Sequence, residues 1–252
     1  MTWSSRTSRA SLNRLDGLAP MQPLSGHALL VAWEHGRNRH PVDRALMLRA
    51  LSVPGVDPDA LADEPLGRCN AALLEVRVAT FGRRLRAQVN CPQCAVLLEL
   101  ELDTMELLNV RHEPADSVEV GRLRFRPPCN RDLARIAGEA NPDIAAGRLL
   151  TLCALDEPKD TDIHPLLAEV ERALERADPW SDLSLAVRCD ACGWQWSEAL
   201  DVPALLWDEV EHRARALLDE VHLLAEAYGW SEDTILNLSD QRRAAYLQRA
   251  TA

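Results

Sequence analysis

The sequence predicts an α+β fold: a small antiparallel sheet surrounded by helices, with a helical insertion that divides the sheet in sequence. Three observations predict it. Two short stretches, Cys91-Pro92-Gln93-Cys94 and Cys189-Asp190-Ala191-Cys192, each sit between runs that alternate like strands. Apolar residues recur at helical spacing before, between and after these stretches. Between Cys94 and Cys189 lie 94 residues (95 to 188), more than a compact two-hairpin unit holds, so the intervening chain must loop out and return. The expected layout is an arm at 1–20, N-terminal helices at 21–82, the sheet with its insertion (about 127–180) at 83–200, and C-terminal helices at 201–252.

Taken in order, residues 1–20 show no sustained period and read as a disordered arm. Ser25 caps a helix that turns Leu29, Leu30 and Trp33 inward and stops at Gly36. Pro41 suits the first turn of a second helix, and Pro54, Gly55 and Pro58 break the chain after it. A third helix is expected from about Asn70 to Phe81, with Gly82 as its stop. Leu85, Ala87 and Val89 then alternate with Arg84, Arg86 and Gln88 before the first Cys pair, and Val96, Leu98, Leu100 and Leu102 alternate with Glu99 and Glu101 after it. Residues 103–115 read as a connector. The stretch from Val118 to Phe125 reads as a second hairpin, turning at Gly121-Arg122 and extending the same sheet. Helical patterns resume at Arg131 to Gly138, Pro142 to Ala154 and Pro165 to Ala177. After the second Cys pair, Pro203 opens the longest helix, with Leu206, Val210, Leu217, Val221, Leu224 and Tyr228 on one stripe and a stop at Gly229. Ser231 caps one more turn before a last short helix.

Each C-x-x-C reads as a hairpin tip that offers two thiolates to one side. Four thiolates in tetrahedral array satisfy Zn²⁺ and leave no open position for water or substrate, so Cys91, Cys94, Cys189 and Cys192 are the expected ligands of one structural zinc in a ribbon-like sheet. The competing readings are a redox dithiol, a disulfide and unmetallated core thiols. A redox C-x-x-C should stand alone at a strand-to-helix turn, not twice between strands. His212 and His222, ten residues apart on the long helix, lack a third ligand and read as solvated.

The chain carries a net charge of −11, concentrated at its C-terminal end: residues 136–252 hold ten basic against 23 acidic side chains. Such a balance disfavours nucleic acid as a partner, because displacing phosphate counterions requires a cationic surface. Arg84, Arg86, Arg124 and Arg126 could form a basic patch, with Glu99, Glu101 and Glu119 as cross-strand partners that would make it an ion-pair face. No nucleotide-binding, hydrolase or metalloprotease motif occurs, and none points to a small-molecule substrate or an enzyme. No run of about 18 apolar residues and no apolar signal core appear, so neither a membrane span nor secretion is expected. Seven cysteines, including Cys69, Cys129 and Cys153 outside the two pairs, fit a reducing cytoplasm. Trp33, Trp194, Trp196, Trp207 and Trp230 read first as core and second as interface anchors.

The run Leu224-Ala225-Glu226-Ala227-Tyr228-Gly229-Trp230-Ser231-Glu232-Asp233-Thr234-Ile235-Leu236-Asn237-Leu238, followed by Arg242-Arg243-Ala244-Ala245-Tyr246-Leu247, resembles the T4-type bacteriophage baseplate hub assembly protein family, including relatives in phage-tail-like contractile injection systems. Similar short pieces occur at Ala28 to Glu34, at Phe125 to Leu133 and at Cys91-Pro92. The resemblance implies a non-enzymatic assembly or baseplate role with hub or other tail proteins as partners, either as a cytoplasmic assembly factor or as a component of a phage-tail-like particle. Zinc is argued from spacing and is not carried over from the family. The C-terminal segment is expected to dock, with Tyr228, Trp230, Arg242, Arg243 and Tyr246 as partner-binding candidates. The alternative reading is a zinc-ribbon nucleic-acid-binding regulatory factor.

Overall fold

A computed structural model describes residues 22–156 and 164–250. Residues 1–20, expected as a disordered arm, lie outside the described residues. Helices α1 (Gly26–Gly36), α2 (Pro41–Ser52), α3 (Pro58–Ala62) and α4 (Leu66–Phe81) lead into the hairpin β1 (Arg84–Asn90) and β2 (Leu97–Asp103). Next come α5 (Thr104–Asn109) and the hairpin β3 (Val118–Val120) and β4 (Leu123–Phe125). Helices α6 (Asn130–Ile136) and α7 (Pro142–Cys153), a 3-10 turn at His164–Leu166 and α8 (Leu167–Ala177) follow. The hairpin β5 (Ser184–Arg188) and β6 (Gln195–Ala199) then precedes α9 (Val202–Tyr228), α10 (Glu232–Leu236) and α11 (Asp240–Ala250). The fold class is α+β.

Among the described residues, the strands form three separate two-stranded antiparallel sheets, not one ribbon-like sheet. The expectation that β3–β4 extends the cysteine-bearing sheet is therefore corrected. Its outer edge is occupied locally: Leu155 N–H donates to Arg124 O at 2.8 Å and Arg126 N–H to Cys153 O at 2.9 Å. Val120, Leu123 and Phe125 instead pack with Cys153 and with Val170, Ala173 and Leu174 of α8, giving the insertion a small core of its own.

The main core gathers α1, α2, α4 and α9. On α9, Leu206, Val210, Ala214, Leu217 and Leu224 are fully buried, which is the stripe the 3.6-residue period demands. Gly229 ends the helix with a left-handed φ of +66°, and its N–H closes on Ala225 O at 2.8 Å. Leu85 and Leu102 from the first hairpin reach this core, as do Leu183, Leu185 and Leu200 around the second. Both hairpins are thus rooted in one apolar cluster, and that common root brings together tips that are far apart in sequence.

Two short helices depart from the expected layout. Asp57 caps α3 through Asp59 N–H, and Asp103 caps α5 through Met105 N–H, where chain breaks and a connector were read. Helix α4 begins at Leu66, a turn earlier than the periodicity indicated. Its first turn is held from the far side of the insertion, where the Asp178 carboxylate accepts from Gly67 N–H at 2.9 Å.

Candidate metal centre

The two C-x-x-C turns repeat one backbone design. In the first, Cys91 N–H donates to Val96 O at 2.9 Å and Ala95 N–H to Cys91 O at 2.9 Å. In the second, Cys189 N–H donates to Trp194 O and Gly193 N–H to Cys189 O, both at 2.8 Å. The residue after each second cysteine is left-handed: Ala95 at φ +59° and Gly193 at φ +76°. Curling the chain this way aims backbone N–H groups at sulfur. Those of Gln93 and Cys94 reach Cys91, that of Val96 reaches Cys94, and that of Trp194 reaches Cys192.

The strands fix where each turn points. In the first hairpin Leu85 faces Leu102, Ala87 faces Leu100 and Val89 faces Leu98, while Arg86 faces Glu101 on the opposite side. In the second, Val187 faces Trp196 and Leu185 faces Glu198. All four sulfurs lie within 4.8 Å of one another. Cys91 Sγ lies 3.7 Å from Cys192 Sγ, and Cys94 Sγ lies 3.7 Å from Cys189 Sγ. A tetrahedron with metal–sulfur bonds of about 2.3 Å has edges of about 3.8 Å. The spacing therefore fits a tetrathiolate metal site, and it is far beyond the roughly 2.05 Å of a disulfide.

Electrostatics make the same point. Burial opposes the Cys91 thiolate, but the N–H groups of Cys94 and Gln93 and the neighbouring thiols prevail and bring its pKa down to about 7. At Cys94 and Cys192 the N–H groups of Val96 and Trp194 favour the thiolate. Desolvation and the neighbouring sulfurs nonetheless raise both, Cys192 to about 12. Four sulfurs this close cannot all ionise against one another, and a cation bound among them removes that conflict. Cys91 and Cys189 are buried, whereas Cys94 and Cys192 are exposed.

Among the described residues, these four form the group of three or more His, Cys, Asp or Glu side chains placed to hold a metal ion. His212 and His222 are exposed and lie outside it. Sequence reasoning named the four cysteines that the fold brings together and missed the backbone groups that orient them. Gly193, directly after a C-x-x-C, was a readable signal for the left-handed turn; Ala95 was not.

No family model, curated protein or solved structure matches the chain.

The partner-binding candidates divide. Tyr228 and Trp230 stack at 4.7 Å, and Tyr246 meets them edge-on at 5.6 and 4.8 Å, forming a partly exposed aromatic trio; Arg242 is also exposed. Arg243 is corrected. It is 2% exposed, pairs with Asp240, and donates to Glu220 Oε2 at 2.5 Å and Leu238 O at 3.2 Å. A guanidinium consumed in this way bonds α11 to α9 and offers a partner little surface. Ile235 of α10 is likewise fully buried, so the segment beyond Gly229 packs onto the fold through Ile235 and Arg243 while its aromatic trio stays partly exposed.

Arg84, Arg86, Arg124 and Arg126 form ion pairs, as an ion-pair face rather than a basic patch requires. Arg84 and Arg86 approach Glu101 at 3.7 and 3.2 Å. Arg124 pairs with Asp156 at 2.9 Å, not with its cross-strand neighbour Glu119, and Arg126 pairs with the buried Asp132 at 2.6 Å. Trp207 and Trp180 are core residues, with Arg44 lying 4.5 Å over the Trp207 ring, while Trp194, two residues after Cys192, is 48% exposed. Among the described residues, no helix is long and apolar enough to cross a membrane.

Proposed function

We propose that this chain is a non-enzymatic structural or assembly protein of a contractile, phage-tail-like baseplate, whose Cys91, Cys94, Cys189 and Cys192 hold one structural Zn²⁺. The observation that carries the metal reading is the closed set of four sulfurs at tetrahedral spacing. With every ligand position taken by sulfur, the ion has nothing to offer a substrate, and its work is to tie the two hairpins together across 94 intervening residues. The baseplate role is supported by the C-terminal run from Leu224 to Leu247, whose aromatic trio is partly exposed at the end of α9.

A zinc-ribbon nucleic-acid-binding factor is the weaker reading, because Arg84, Arg86 and Arg124 are engaged by carboxylates and the net charge is −11. Affinity purification of the tagged full chain from cells expressing a contractile system separates the two. Stoichiometric zinc together with recovered hub, tube or sheath proteins supports the proposal. Sub-micromolar binding to random duplex at about 150 mM salt, without tail proteins, overturns it.

A further inference from the structure

We propose that Cys94 and Cys192 are sites of oxidative modification, and that oxidation converts the tetrathiolate into two disulfides running between the hairpins, Cys91–Cys192 and Cys94–Cys189, as the metal leaves. This rests on the zinc reading of the cluster. The geometry that points to it has two parts. Each hairpin contributes one buried and one exposed sulfur, so a dissolved oxidant reaches the metal shell only through Cys94 and Cys192. The two sulfur contacts at 3.7 Å both cross from one hairpin to the other and both join an exposed cysteine to a buried one. Each exposed sulfur thus has its resolving partner already in place on the opposite turn.

With a peroxide as oxidant the chemistry balances. The exposed thiolate attacks one peroxide oxygen, the O–O bond breaks, and a sulfenic acid forms while the departing hydroxide takes a proton to become water. The facing buried thiolate then attacks that sulfur, the S–S bond forms, and a second hydroxide leaves and is protonated. Two thiolates lose two electrons, and one peroxide becomes two waters. Repeating this at the second pair consumes a second peroxide and leaves the metal without ligands. Because both bridges span the hairpins, the 94-residue excursion stays closed after the ion is lost. The clasp changes from a metal to a covalent one.

The test uses the full chain loaded with zinc under anaerobic conditions and titrated with hydrogen peroxide. Zinc release is followed with a chromophoric chelator, and disulfides are mapped by mass spectrometry of non-reduced peptides. The expected result is loss of one zinc per two peroxides, Cys91–Cys192 and Cys94–Cys189 peptides as the dominant products, and an oxidised protein that melts above the reduced, chelator-stripped form. Dominant Cys91–Cys94 and Cys189–Cys192 bridges overturn the proposal, as does a shell whose thiols stay intact under excess peroxide. Elemental analysis before titration separates the two readings: absence of metal there refutes the zinc assignment, while the disulfide map still decides the connectivity.

Discussion

Replacing Gly67 by alanine tests how the insertion is bolted to the helical core. A Cβ at this position would fall 1.8 Å from Asp178 Oδ1 and 2.6 Å from its Cγ, so the carboxylate has to move. Asp178 is 1% exposed and accepts from Gly67 N–H at 2.9 Å, an interaction that satisfies one of the free donors at the start of α4. Losing a hydrogen bond to a charged acceptor costs about 1.5–3 kcal/mol. The better helix propensity of alanine returns at most about 1 kcal/mol, and less in a first turn. The net expectation is a loss of about 1–2 kcal/mol, or a melting temperature lower by roughly 2–8 °C for a chain of this size. Urea denaturation of the wild type, Gly67→Ala, Asp178→Ala and the double variant provides the measurement. In the Asp178→Ala background the carboxylate that clashes and bonds is already gone, so adding Gly67→Ala should be neutral or slightly stabilising there. Equal costs in both backgrounds would refute the argument that Asp178 and Gly67 act as a pair.

Other outcomes follow from the same packing. Burial opposes the charge on Asp132, but the Arg126 guanidinium and the Cys129 thiol and N–H outweigh it and hold its pKa below the usual 3.8. This pair therefore adds stability that is present above the unfolded pKa and is lost as pH falls through the lower folded one; Asp132→Asn should cost about 2–3 kcal/mol at neutral pH, discounting the buried-pair range for a partly exposed Arg126, and flatten the acid limb of a stability profile. Asp178 has the opposite sign: burial raises its pKa against the N–H groups of Gly67 and Trp180, so its contribution declines as pH rises through the folded value, and Asp178→Asn should remove that decline in the same profile. Ile235→Ala should cost about 2–4 kcal/mol in urea denaturation, and deletion of 229–252 should lower the melting temperature rather than leave it unchanged, because Ile235 and Arg243 are buried. Chelation of the metal, or Cys91→Ser, should loosen the two hairpins while the far-ultraviolet helical signal of the α1, α2, α4 and α9 core persists; loss of all helical signal would show that core to depend on the clasp.

The sequence by itself determined what is written in local chemistry. Repeated C-x-x-C pairs between alternating residues specify hairpin tips and the cysteines they carry, since a period of two and a cysteine pair are both visible within ten residues. Caps and stops such as Ser25, Gly82 and Gly229 were legible because one side chain, or one left-handed glycine, settles each of them. Only the tertiary structure decided what depends on partners distant in the chain. The β3–β4 hairpin could not be kept apart from the cysteine sheet on paper, because its separation rests on the Cys153 to Leu155 segment filling its edge. The early start of α4 rests on a carboxylate 111 residues away. Arg242 and Arg243 are identical neighbours in sequence, yet one is exposed and the other buried, because a helix presents consecutive residues about 100° apart and only Arg243 faces Glu220 on α9.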